Sequence, residues 1–287
     1  MQMMSLIWVL PLAFALAPPA VAATPDTPQV EASMVVSGNV QIDPNGLVTG
    51  YVLDHAQAIP DVAKSIIAKT IRTWTFYPVL SDGKRVAGES RMHLRLLAKP
   101  LGDQNYAVSV KGTWFGKKQQ TNEQRVSAQH RRKPRYPMLA RRSRAEGIVY
   151  LLIRVNRQGQ AEKVAAEQVN LFQSGDSERM TRVRQAFAKA SIDAAKSWTF
   201  IIPVKGPNVA KAHWDVRVPI LYTFGHGANN PQKRAYGKWL AYVPGPRNIP
   251  AWDNAGHGPA SSIDTLPGTG LVAAQPSRRL MPSTIGG

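Results

Sequence analysis

The chain contains no cysteine, which excludes disulfides, thiolate metal sites and cysteine nucleophiles. Acidic residues are scarce: 18 Asp and Glu stand against 36 Lys and Arg, for a formal charge of +18. That excess points to acidic partners or surfaces and says nothing about the fold. Histidine is sparse and scattered (His55, His93, His130, His213, His226, His257), never at His-x-His or His-x-x-x-His spacing, so a zinc or iron site has no support. There is no Gly-x-Ser-x-Gly elbow, no phosphate-cradling glycine loop and no Gly-x-Gly-x-x-Gly after a strand. Neither an enzyme nor a bound cofactor is expected. Apolar residues make up 44% of the 287, enough for packed cores and for two domains of ordinary size.

The first residues, "MQMMSLIWVLPLAFALAPPAVAA", have an apolar centre, a Pro-Pro break and a small-residue ending. This pattern predicts a signal peptide over residues 1–23, a mature chain starting near Thr24 and a periplasmic location. No Lys or Arg precedes the apolar run, and Met3 to Ala23 is long enough to serve as an uncleaved anchor instead.

One phrase is written twice. Residues 68–78 read "AKTIRTWTFYP" and residues 194–203 read "AAKSWTFIIP". Upstream of each lies a strand, a polar turn ending in Gly (Asp43-Pro-Asn-Gly46; Asn156-Arg-Gln-Gly159) and a second strand, a hairpin signature. Downstream of each comes another turn and a third strand, 88–98 and 210–224. The plan is strand, strand, helix, strand, twice over. Between strand pair and Trp-Thr-Phe, Ala63, Ile66, Ile67, Thr70, Ile71 and Trp74 fall on one helical face, as do Val183, Phe187, Ala190, Ala194 and Trp198. Trp74 and Trp198 are expected where helix meets sheet. Residues 147–155 are apolar on nearly both faces.

The second repeat resembles the C-terminal domain of the TonB family, the periplasmic part of the inner-membrane energy transducer for outer-membrane receptors. The residues that carry the resemblance are Pro134, Tyr136, Pro137, Ala140, Gly147 and Val149, then Gly159, then Trp198, Phe200 and Pro203. The first repeat is similar in its hairpin and helix only. The implied fold is α+β, two tandem TonB C-terminal-like domains, each a three- to four-stranded antiparallel sheet packed by one main helix. The boundaries are repeat one at 30–118, a basic linker at 119–133, the TonB-like domain at 134–225 and a Gly/Pro-rich irregular tail at 226–287, docked through Trp239, Tyr242 and Trp252.

Transducers of that family carry an anchor helix with a Ser and a His and a long Pro-rich spacer. Here no His precedes His55 and no such spacer follows, so motor coupling is not expected. What the resemblance does imply is capture of an extended segment of an envelope or outer-membrane receptor protein by strand addition. The candidate edge is His213, Trp214, Asp215, Val216, Arg217 and Val218, with Pro219 interrupting pairing beyond it.

A second reading is a structural, envelope-associated protein. The stretch "HRRKPRYPMLARRSR" offers Arg131, Arg132, Lys133, Arg135, Arg141, Arg142 and Arg144 without one acid. Such a run suits anionic lipid, lipopolysaccharide or an acidic partner, or a solvated face. Nucleic acid fits its chemistry too, but an export signal weighs against that partner.

Overall fold

The repeated phrase has a structural cause, visible in the computed structural model, which describes residues 30–102, 105–117, 121–224, 236–253, 263–265, 271–274 and 280–281. The leader reading, His226 and His257 lie outside these residues. In the first half, β1 (Glu31–Ile42) and β2 (Val48–Leu53) form the expected hairpin. Asp43 Oδ1 accepts from the backbone N–H groups of Asn45 and Leu47 at 2.9 and 2.8 Å. In the second half, between β8 (Gly147–Val155) and β9 (Ala161–Leu171), Asn156 Oδ1 does the same for Gln158 and Gln160 at 3.0 and 2.9 Å. Side-chain capture of turn amides is why Asp and Asn stand there.

Each turn ends in a left-handed glycine, Gly46 at φ 91° and Gly159 at φ 75°. A Cβ at Gly46 would lie 2.0 Å from the Phe76 carbonyl oxygen, and one at Gly159 2.2 Å from that of Phe200. The contact is a hydrogen bond: Phe76 N–H donates to Gly46 O at 2.8 Å, and Phe200 N–H to Gly159 O at 2.7 Å. Thus Trp-Thr-Phe recurs because it closes the helix and ties it to the hairpin turn.

The helices follow as expected. α1 (Asp61–Arg72) buries Ala63, Ile67 and Ile71. After the short α2 (Met138–Arg142), α3 (Ser177–Ala195) starts at the cap Asp176, whose carboxylate accepts from Arg179 N–H. Its buried stripe is Met180, Val183, Phe187, Ser191 and Ala195. The expected Ala190 and Ala194 are only half-buried: the buried face keeps a four-residue step from Val183 through Phe187, Ser191 and Ala195, where the expected stripe took a three-residue step from Phe187 to Ala190. Trp74 and Trp198 are 7% and 1% exposed, both in the cores between helix and sheet.

The remaining strands are β3 (Val79–Ser81), β4 (Lys84–Val86), β5 (Gly88–Gly102), β6 (Asn105–Lys117), β7 (Ser127–His130), β10 (Thr199–Ile201), β11 (Trp214–Tyr222), β12 (Leu240–Tyr242) and β13 (Val272–Ala273). One sheet runs β12-β1-β5-β6 with β2 also on β1, and the other runs β13-β11-β8-β9. Both are antiparallel throughout. The fold is therefore a mixed one of helices and antiparallel sheets.

Three features depart from the sequence-based expectation. The stretch 119–133 is no plain linker: its β7 pairs β10, and the Arg132 carbonyl accepts from Trp198 Nε1 at 2.9 Å. The tail is not simply irregular. β12 joins β1, Leu280 bridges Phe76, and Val243 exchanges two backbone hydrogen bonds with Leu171 at 2.9 and 3.0 Å. Finally, the two sheets pack on one another. Trp114 from β6 meets Ile148 and Tyr150 of β8 around Ile263 of the tail, which explains why β8 is apolar on both faces. Tyr242 is 1% exposed, beneath the Arg95 guanidinium at 4.8 Å.

The sheet face away from α1 carries a buried polar pair. Ser37 Oγ and His93 Nδ1 lie 2.8 Å apart, with the His93 ring against Trp114. Burial, and then the neighbouring Arg91 charge, push His93 down to about 4 from its ordinary 6.5. The unfolded chain therefore takes up a proton that the folded chain refuses once pH drops below about 6.5. Stability should be unaffected by this group above that pH and fall by about 1.4 kcal/mol per unit from there toward pH 4. Asp54, depressed by its hydrogen bond to Arg91, contributes only to losses below its ordinary 3.8, so the windows separate. Urea midpoints against pH, compared with His93→Gln, should show the slope in the parent and a flatter line in the variant.

Candidate functional site

Among the described residues, the candidate edge is paired fully on one side and briefly on the other. One side of β11 is paired to β8 along its whole length, from Trp214↔Val155 to Tyr222↔Gly147. Among the described residues, the other side meets the two-residue β13, through Val216↔Ala273 and Arg217↔Val272. Ala274 N–H donates to Asp215 O at 2.9 Å. In an antiparallel ladder, backbone groups alternate sides. Asp215, Arg217, Pro219 and Leu221 therefore turn theirs away from β8. Pro219 lacks its N–H on the open side, where the β8 ladder does not need it.

The first sheet shows what a filled edge looks like. Its strand order β2-β1-β5-β6 matches β9-β8-β11-β13 position by position. There β6 pairs β5 from Ser90↔Lys117 to Gly102↔Asn105. The place that a full strand occupies beside β5 holds, among the described residues, a two-residue strand beside β11.

The side chains of the edge are not open pockets. Trp214, Val216 and Val218 are 6%, 2% and 0% exposed in the α3 core, and His213 lies just ahead of the strand. Asp215 holds Arg154 in a two-point ion pair at 2.8 Å on each arm, with Arg154 5.0 Å over the Trp252 ring. Burial of these side chains leaves the backbone as what the edge offers.

The buried ion pair of Arg217 is the feature that the sequence did not signal. It is 1% exposed and grips Glu167, itself 0% exposed, at 2.6 and 2.8 Å. The β8–β9 register shifts between Tyr150↔Gln168 and Leu151↔Ala166, so the bulge there holds Glu167. The same guanidinium reaches Asp253 of the tail at 3.5 Å and donates to the Ala274 carbonyl. One buried cation thus joins β11, β9 and two tail segments.

The resemblance residues gather at the opposite end and in the core. Pro137 caps α2, Ala140 and Val149 are fully buried, and Gly147 opens β8. Tyr136 packs edge-on against Phe187 and Tyr222 and donates to the Ala145 carbonyl. Burial, chiefly, pushes its hydroxyl up to about 12. Pro134 is half-buried, Phe200 and Pro203 buried. These are packing roles.

The basic residues Arg131, Arg132, Lys133, Arg135, Arg141, Arg142 and Arg144 are all exposed. Arg131 stacks 5.5 Å over Trp198. Among the described residues, no group of three or more His, Asp or Glu is placed to hold a metal, and no helix is long and apolar enough to cross a membrane. No family model, curated protein or solved structure matches this chain.

Proposed function

We propose that the protein is a periplasmic, TonB-like binding module built from two tandem TonB-like domains, and that it engages extended segments of envelope or outer-membrane receptor proteins by strand addition at β11. The observation that carries this reading is the short partner on β11 where the matching edge of the first sheet holds a full strand. The resemblance of residues 134–203 to the TonB C-terminal domain points the same way and links the module to TonB-dependent transport. Main-chain bonds would supply the affinity, since the β11 side chains are already committed.

A register test decides it. A labelled peptide copied from a periplasm-facing receptor segment is made in two forms, N-methylated at alternate residues. Strand addition predicts that one form loses at least about ten-fold in affinity while the other keeps it, because only alternate amides face β11. Equal binding of both forms would contradict it. The exposed basic run supports a second reading, an envelope-associated structural protein resting on anionic lipid or lipopolysaccharide.

A further inference from the structure

Resting on the strand-addition reading, we infer that the tail segment Leu271–Ala274 is a built-in competitor for the β11 edge, and that its sequence describes the ligand. The class is an extended peptide with an aliphatic residue followed two positions later by a small one, its carbonyl seated on Arg217.

Each part of that description comes from how the segment sits. It runs antiparallel to β11. Leu271 packs against the core of the second half, while Val272 packs against the Trp114–Tyr150 cluster between the sheets. One residue of the strand thus reaches each side, as the two-residue period of a strand requires. Ala274 is 1% exposed, so a larger side chain at that position meets packed atoms. Its N–H donates to Asp215 O at 2.9 Å and its carbonyl accepts from Arg217 Nη1. An aliphatic residue at the Val272 position and a small one at the Ala274 position are therefore what the edge selects.

The occupant is also built to leave. Among the described residues its ladder has two residue pairs, Val216↔Ala273 and Arg217↔Val272. Against it stands an incoming peptide that extends the ladder on the N-terminal side of the Val272 position, opposite Pro219 and Leu221, as β6 runs along β5. The tether raises the tail's local concentration, so a free peptide must outcompete it. The tail tunes the affinity of the site and does not abolish it.

The probe is a fluorescein-labelled Gly-Leu-Val-Ala-Ala-Gly peptide, titrated by anisotropy against the full chain and against Ala274→Pro, which removes the donor to Asp215. Val272→Asp is the second release variant, for use if the proline variant does not melt cooperatively. The release variant should bind the probe at least about ten-fold more tightly than the parent. Replacing the second Ala of the probe by Phe should abolish binding to both. Equal probe affinity for parent and release variant would overturn the competitor. Failure of the probe on both, while a receptor-derived peptide passes the alternate N-methyl test, would overturn the ligand class and leave strand addition standing. Failure of every extended peptide would remove strand addition itself.

Discussion

Trp198→Ala should lower the stability of the protein by about 3–5 kcal/mol, the range for deleting a large aromatic from a packed core. The ring is 1% exposed, and three separate contacts depend on it. It closes the end of α3, its Nε1 holds the Arg132 carbonyl at 2.9 Å, and it lies beneath the Arg131 guanidinium. Truncation therefore leaves a cavity and also orphans a backbone acceptor of the strap that carries β7. Trp74→Ala should cost somewhat less, because Trp74 is 7% exposed and packs edge-on against Phe76 and Phe115, which can close in. Because the sheets share the Trp114, Ile148, Tyr150 and Ile263 cluster, either loss should register in the melting of the whole sandwich. Urea unfolding followed by tryptophan fluorescence measures both. A Trp198→Ala variant unfolding at the parent's midpoint would contradict the packing described.

Arg217→Met should be about as damaging, for a different reason. Removing one partner of a buried ion pair strands the other, typically at a cost of about 3–5 kcal/mol. Here the stranded group is Glu167, 0% exposed, and Asp253 loses a partner as well. The sign of the effect can be checked against its rescue. Arg217→Met combined with Glu167→Leu takes both charges out together and should recover much of the loss, since a well-packed apolar pair often equals a buried ion pair. The remaining deficit should report the Ala274 and Asp253 contacts. If the single variant lost less than about 1 kcal/mol, the Arg217–Glu167 pair would be solvated and the tail loosely held.

Local features of the fold were legible in the sequence. Asp43 to Gly46 and Asn156 to Gly159 announced their turns, and the two Trp-Thr-Phe phrases announced where helix meets sheet, because each interaction spans few residues. The α3 stripe was legible to within one position. What stayed hidden depends on partners far along the chain. β6 reads as an ordinary polar-apolar alternation, and nothing in it names β5. The tail strands β12 and β13 are short pieces among Gly and Pro whose only strand character comes from the sheets they join. Arg217 and Glu167 are 50 residues apart and meet across β8 only because a bulge places Glu167 opposite no single partner. One clue was present and undervalued: Ile148, Tyr150 and Leu152 made β8 apolar on its second face, which required a second layer. Of the candidate edge His213–Val218, the structure puts Trp214–Val218 in β11, and the closure of those side chains was not visible from alternation alone.

Amide exchange along β11, with and without a bound extended peptide, tests the central claim most directly. The N–H groups of Trp214, Val216 and Val218 face β8 and should be protected in the free protein. Those of Asp215, Arg217 and Leu221 face the other side and should exchange faster, with Arg217 slowed by the tail. Added peptide should slow Asp215, Arg217 and Leu221 and leave the other three unchanged. Uniformly strong protection of both sets in the free protein, unaltered by any extended peptide, would mean that β11 has no edge to offer and would contradict the account.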